Sequence, residues 1–433
     1  MEALNTFAPD WHVTTLEANA SLPLPDLRAA IETALASPIN SPLLRKMARH
    51  NTNVCIAFTD ATRACPDAIL IPPLLRELAA AGVPSEQITL LCATGMHRPS
   101  TGTEKIAKVG MTVAQQYTVV DHQAQKPEAL VNLGSLGRPD MDLPADVPAI
   151  VNRIAAEADL LIATGVVEPH QYAGYSGGGK TVAVGCGGEA TITATHGAAF
   201  LDDSRVRLGR VESNPFQAAM RECARRAGLK FVVNVVLDGD GRAVAVQAGD
   251  PIPVHDQLVA LARRLYEVPV PGQYDVVVAG IGGPKDTNLY QASRAPTYVG
   301  LASQPVVREG GVIITPARCP EGAGQGPGEQ RFYELLSKTG DLRAMLDDLR
   351  RRGIQAGEQR AFMLAQVLLK HTVIIVGSRQ PDVVRDCKMT PAATMDEAVT
   401  LTRGIVGARA SALVIPHALQ TLPVVCDAVV GDR

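Results

Sequence analysis

Short unbroken apolar runs alternate along this chain with longer stretches in which apolar positions recur at helical spacing. The run at 53–59 (NVCIAFT) predicts a strand buried on both faces, the stretch at 69–81 (ILIPPLLRELAAA) a helix closed by Gly82, and the run at 88–92 (ITLLC) a return strand. The same reading predicts a helix over 147–158, a strand over 159–164, a helix over 214–227 and a strand over 231–237 (FVVNVVL). Apolar strands separated by helices imply a mostly parallel sheet covered by helices.

After a helical stretch at 254–266, the segment 268–274 (VPVPGQY) interrupts the pattern with proline and glycine, and a strand over 275–279 opens a new series. That series continues with a strand at 312–315, helices around 331–336 and 341–352, and strands at 372–376 and 412–415. The expected fold class is α/β: two α/β domains with mostly parallel sheets, 1–270 and 271–433, and the active site in the cleft between them. The glycine-rich loop at 320–328 (PEGAGQGPG) is a candidate lid or hinge.

Composition narrows the class of function. With 433 residues, 46% hydrophobic and 20% charged, the chain has material for two packed domains, which excludes disorder as its main state. Its 41 basic and 44 acidic residues provide no chain-wide field for nucleic acid or an anionic membrane, so neither is an expected partner. No apolar run approaches the roughly 20 residues of a membrane span, and residues 1–6 have neither a basic start nor an apolar core; a cytoplasmic location is expected. The eight cysteines are scattered singly, without the close pairs of a zinc ribbon or redox site.

Candidate chemistry collects where parallel sheets place it, after strand ends. Asp60-Ala61-Thr62-Arg63 follows one predicted strand, Ala93-Thr94-Gly95-Met96-His97 another, and the segment from Gly165 to His170 a third. The run Gly174-Tyr175-Ser176-Gly177-Gly178-Gly179-Lys180-Thr181 satisfies the phosphate-loop pattern G-x-x-x-x-G-K-[ST]. Its context differs from a nucleotide triphosphatase, because the strand ends near Thr164 and Gly185, Gly187 and Gly188 follow where a helix should propagate. What remains is a glycine-rich backbone suited to an anion, ending in a lysine able to act covalently. A nicotinamide dehydrogenase is a further alternative, from Gly280-Ile281-Gly282-Gly283, although Lys285 stands where that fingerprint needs glycine. A binding protein without catalysis is another alternative.

Of nine histidines, His97, His170 and His196 lie beside strand ends or the glycine loop, where proton transfer or metal ligation is expected. His122 is ambiguous, and His12, His50, His255, His371 and His417 read as surface or core residues.

The blocks Asp60 through Pro66, Ala93 through Arg98, Glu168 through Lys180, Thr195-His196-Gly197 and Leu289-Tyr290-Gln291-Ala292-Ser293-Arg294 together resemble the lactate racemases that use a nickel-pincer nucleotide, with their 2-hydroxyacid racemase and epimerase relatives. The resemblance implies a pyridinium-3-thioamide-5-thiocarboxylic acid mononucleotide bearing nickel, attached to Lys180, with His196 as the protein's ligand to the metal. It implies cofactor contacts from Asp60, Thr62, Ser176, Gly177, Gly178 and Gly179, and an acid/base pair, His97 and His170, on opposite faces of the substrate. Hydride transfer with proton transfer at the hydroxyl would then invert C2 of a 2-hydroxyacid without a carbanion. Arg63 would clamp the carboxylate, and Tyr290, Gln291 and Arg294 would complete the pocket. The archetypal lactate enzyme carries lysine where this chain has Arg294, which opens the substrate choice to a larger or dicarboxylic hydroxyacid such as malate. Arg98 and Lys285 are candidates for a second anionic group. Pincer-synthesis enzymes are implied partners.

Overall fold

The computed structural model describes residues 8–137, 141–283 and 285–426; the chain start, on which the reading of residues 1–6 rests, lies outside them. The chain forms two compact units, one of Ala20–Val206 and Arg210–Arg263, the other of Met1–Asn19, Arg207–Gly209 and Arg264–Arg433. Among the described residues no helix is long and apolar enough to cross a membrane.

The first unit is built on a six-stranded sheet in the order Ala243–Gly249, Leu229–Leu237, Leu160–Val166, Val54–Thr59, Ile88–Ala93, Thr118–Asp121. Only the Ala243–Gly249 edge pairs antiparallel; every other neighbour is parallel. The two central strands, Val54–Thr59 and Leu160–Val166, are buried at every position, which explains their unbroken apolar sequence. Their side chains Ile56, Phe58 and Ile162 join Leu70, Leu74 and Leu78 of the helix Asp67–Ala80 in one core. That helix begins two residues before the expected start, and it contains Pro72 and Pro73. An interior proline costs roughly 3 kcal/mol. Burial of Leu70, Ile71, Leu74, Leu75 and Leu78 offsets it, at roughly 1.5–3 kcal/mol for each large apolar side chain.

The helix expected over 147–158 is corrected by the structure. Pro148–Asn152 is a strand paired antiparallel with Leu130–Ser135, and only Arg153–Ala156 is helical. Val147, Ala149 and Val151 are fully buried while Pro148 and Ile150 are less so, a period of two set by β-branched residues. Asn152 then caps the short helix by accepting from the Ile154 amide.

The second unit carries a six-stranded, wholly parallel sheet in the order His12–Thr15, Ser411–Ile415, Tyr274–Ala279, Val307–Pro316, Thr372–Val376, Thr390–Ala392. Both units are thus α/β with mostly parallel sheets. Its first edge strand comes from the start of the chain, paired with a strand some four hundred residues away. The helices Glu358–Leu368 and Met395–Val406 and the strand Leu422–Val425 are further elements absent from the sequence reading. The loop at 320–328 is bound down: the amides of Leu289 and Tyr290 donate to Gly322 and Ala323, and Glu321 donates to Thr287. It buttresses the segment carrying Tyr290 and Gln291, in place of the free lid expected.

Candidate active site

Asp60 leaves the end of the strand Val54–Thr59, and His97 follows the neighbouring strand Ile88–Ala93, so parallel pairing brings the two together. His97 Nδ1 lies 2.6 Å from Asp60 Oδ2, and the Thr62 hydroxyl donates to Asp60 Oδ1 at 2.7 Å. Burial alone would raise the Asp60 pKa. The bond and charge of His97, the charge of Arg63 and the Thr62 hydroxyl outweigh it and hold this carboxyl well below the ordinary range. An ionised Asp60 accepts the Nδ1 proton, which leaves the lone pair of His97 on Nε2. The His97 side chain is 43% exposed against 7% for Asp60, so this pair has a buried anchor and an open working nitrogen. Arg98 is committed to a bidentate pair with Glu104 at 2.6 and 2.8 Å, which removes the reason to assign it a ligand.

Beneath this loop lies a buried pair that sequence reasoning missed. Lys108 Nζ sits 2.7 Å from Asp67 Oδ2 and donates to the carbonyls of Cys65 at 2.9 Å and Arg63 at 3.2 Å and to Thr59 Oγ1 at 2.9 Å. The hydroxyls of Thr59 and Thr164 each donate to the Asp67 carboxylate at 2.5 Å. The available signal was an acid at the first position of a helix, where the macrodipole favours negative charge, and a lysine amid apolar neighbours near the end of another.

The glycine loop is not a strand-to-helix join. After Leu160–Val166 the chain makes a small antiparallel hairpin, Pro169–His170 with Gly174–Tyr175, and then the four-residue helix Lys180–Ala183. Ser176 binds the loop to itself, donating from its hydroxyl to Val166 O at 2.7 Å and accepting from the Glu168 amide. Gly177 and Gly178 take positive φ, and a Cβ on Gly177 would lie 2.6 Å from Val167. The buried Asn234 accepts the Gly178 amide at 2.7 Å, while His255 donates Nε2–H to Ser176 O at 3.1 Å. The loop is therefore a packed seat for Lys180. Likewise Gly280–Gly283 does not open a dinucleotide-binding helix; the next helix among the described residues is the short Leu289–Ala292.

His170 and His196 share an aromatic wall. The Phe216 ring is 6.4 Å from His170 and 5.1 Å from His196, and Tyr172 meets both edge-on at 5.7 and 5.3 Å. The amides of Tyr172 and Ala173 donate to His170 Nδ1 at 3.3 and 3.2 Å, which places the proton of the neutral ring on Nε2. His196 is the reverse case: its Nδ1–H donates to Ile192 O at 2.8 Å, which puts the lone pair on Nε2. His122, fully internal, donates to Gly187 O at 2.8 Å and accepts from Asn152 at 3.0 Å, so it fastens the turn after the glycine loop.

In the second unit, the Asn288 side chain caps the helix holding Tyr290 and Gln291, and Arg294 opens the next helix, Arg294–Gly300. The Tyr290 ring packs on Phe332 at 5.6 Å and under the Arg360 guanidinium at 5.9 Å. Gln291 Oε1 is buried with no hydrogen-bond partner among the described residues, an acceptor of the kind a ligand hydroxyl satisfies. Lys285 is half-buried.

Among the described residues no group of three or more His, Cys, Asp or Glu side chains is placed to hold a metal ion. His196 offers a single neutral donor, with its other nitrogen fixed by a carbonyl as is usual for ligating imidazoles.

The sequence matches the family description "Lactate racemase N-terminal domain" over residues 2–209 and "Lactate racemase C-terminal domain" over 271–422. It is 35% identical to a lactate racemase of Lactiplantibacillus plantarum over 397 residues, covering 90% of each chain. It is 32% identical to a lactate racemase of Thermoanaerobacterium thermosaccharolyticum, covering 90% of this chain and 89% of that one. The fold matches the structure of the lactate racemase apoprotein from that organism with a TM-score of 0.83 at 29% identity, over 95% and 94% of the two chains. A protein from Thermotoga maritima shares the fold at a TM-score of 0.72 and 19% identity, over 94% of this chain and all of that one.

The buried histidines generate a stability prediction. Burial lowers the pKa of His122, His255 and His371, in each case opposed only in part by hydrogen bonds or neighbouring charges. The unfolded state therefore binds more protons below about pH 6.5, and stability is complete above that pH and declines as pH falls through it. Denaturant melts between pH 7 and 5 should show this decline, and His122→Gln should reduce its slope, by at most one proton or about 1.4 kcal/mol per pH unit.

Proposed function

This chain belongs to the lactate racemase family, and from that premise we propose that it inverts the C2 stereocentre of a 2-hydroxyacid using a nickel-pincer nucleotide on Lys180. The protein is an isomerase. The observation that supports the mechanism is the complementary state of two imidazoles: Asp60 leaves His97 with a lone pair on Nε2, while two amides leave His170 with a proton there. One presents a lone pair able to accept a proton and the other an N–H able to hydrogen-bond a substrate oxygen.

When bound, the pincer supplies a hydride acceptor for the hydrogen on C2. The proton to be moved is then that of the hydroxyl, within the reach of an imidazole. From one enantiomer His97 would accept this proton and become an imidazolium while His170, charged beforehand by a proton from solvent, would supply a proton on the opposite face; the reverse direction needs the two rings in exchanged states, restored through solvent. Asp60, which the resemblance assigned to the cofactor, acts through His97 by holding its ring and tautomer. Lys180 on its packed loop would carry the tether, and His196 Nε2 would be a ligand to the metal. Ser176 and Gly178 fix the loop from within; Gly177, Gly179 and Thr62 line the cofactor.

Arg63 binds the substrate carboxylate through its planar fork, and Tyr290, Gln291 and Arg294 select the rest of the molecule, the buried Gln291 Oε1 accepting from it. The relatives are named for lactate, which makes lactate the first substrate to assay. Arg294 adds a second fork able to hold a second carboxylate, which makes malate the next. The enzyme works in the cytoplasm and depends on pincer-synthesis enzymes for its cofactor.

Protein coexpressed with pincer-synthesis enzymes should carry a nickel-bearing, sulfur-rich nucleotide on Lys180 by intact and peptide mass analysis. Lys180→Ala should carry none, and His196→Ala should keep the adduct and lose most of its nickel; an unmodified Lys180 in cells that make the pincer would reject the proposal. His97→Ala and His170→Ala should each slow inversion by about 10²- to 10⁴-fold with the adduct intact, and normal turnover by either would exclude the two-imidazole scheme. Arg294→Lys should move the ratio of kcat/KM for malate over lactate toward lactate by about tenfold, the scale of one hydrogen-bonded charge contact.

A further inference from the structure

The helix Gly102–Val109 touches both sides of the Asp60–His97 pair. Near its start, Glu104 closes a capping box with Thr101 and holds Arg98, the residue after His97, through two bonds. In its middle, Lys105 pairs with Asp121 at 2.8 Å. At its end, Lys108 reaches under the neighbouring loop and binds the main-chain oxygens of Arg63 and Cys65. Its ammonium is 10% exposed and its partner Asp67 fully buried, so the charges see little solvent.

A buried ion pair is weak evidence of stabilisation, because desolvation offsets much of its attraction. What this pair does hold is geometry. Asp67 is fixed by Thr59 and Thr164, at the ends of the two central strands, and Lys108 transfers that fixed position to the carbonyls on either side of Ala64. The side chains leaving this loop are Asp60, which holds His97, and Arg63.

We propose that the buried Lys108–Asp67 pair is a positioning device that locks the 60–66 loop, and so sets Arg63 for the substrate carboxylate and Asp60 for His97. The inference rests on the reading of Arg63 as the carboxylate clamp. Lys108→Met alone would leave Asp67 buried and unpaired, so the informative variant is Lys108→Met with Asp67→Asn, which removes both charges at similar volume.

Hydrogen exchange on the full-length apoprotein should show amides 60–65 exchanging at least tenfold faster in the double variant, with those of the distant Glu358–Leu368 helix unchanged. In the pincer-loaded enzyme, KM for the hydroxyacid should rise at least tenfold while kcat falls by less. Arg45→Gln, which breaks an exposed pair with Glu77 on the helix Asp67–Ala80, should move neither. Exchange at 60–65 or a KM within twofold of wild type in the double variant overturns the proposal. Arg63→Ala, run in parallel, separates the two readings: an unchanged KM there removes the carboxylate clamp, while the exchange result still judges whether Lys108 holds the loop.

Discussion

Parallel strands must each be followed by a return across the sheet, so their carboxyl ends arrive at one edge. In the first unit this constraint sets Thr59 beside Ala93, with the end of Leu160–Val166 two strands from the latter. Everything that leaves those ends is crowded onto a short line: Asp60, the segment leading to His97, and the hairpin leading to Lys180. The chain there cannot be irregular and unsatisfied. The Gly95 amide donates to Gly185 O, the Thr181 hydroxyl to Thr164 O and the Thr94 hydroxyl to His122 O, so the loops are joined to one another as well as to the sheet.

The same crowding forces charge into pairs, and the two principal pairs divide in character. Asp67 with Lys108 is closed, every oxygen and much of the ammonium being met by protein groups. Such a pair has no capacity left for a ligand. Asp60 with His97 is closed on the acid and open on the imidazole. A carboxylate buried beside an exposed ring fixes orientation without hindering the nitrogen that faces outward, which is the division a proton-transfer group requires.

Much of this was legible in the sequence, and the limits are physical. The central strands were read closely because burial on both faces leaves an unbroken apolar run, and the strand ends then located Asp60, His97 and the glycine loop. The strand His12–Thr15 was not, since its partner at Ser411–Ile415 is set by tertiary pairing that no local pattern carries. The segment 147–158 misled because its apolar residues fit either period until the pairing with Leu130–Ser135 decides. Lys108 reads as a solvated helix charge in sequence, and only the fold shows what it meets. The glycine loop was recognised for its composition, while its close packing against Val167 and His255 is set by the fold.

Three histidines of one chemical identity acquire two tautomers from three kinds of partner. An ionised carboxylate takes the Nδ1 proton of His97, two amides claim Nδ1 of His170 as acceptor, and a helix carbonyl takes the Nδ1 proton of His196. Only Asp60 is a side chain; the other three partners are main-chain groups within four residues of their histidines, which almost any residue would have supplied. What the sequence must specify is therefore not the partner but the path of the backbone. Tyr172 and Ala173 present their amides because the hairpin turns between His170 and Gly174, and Ile192 presents its carbonyl because His196 ends a helix one turn later. The protonation pattern of the site is thus a consequence of chain geometry, and the packed glycines, the buried Asn234 and the Lys108 pair are what keep that geometry single-valued.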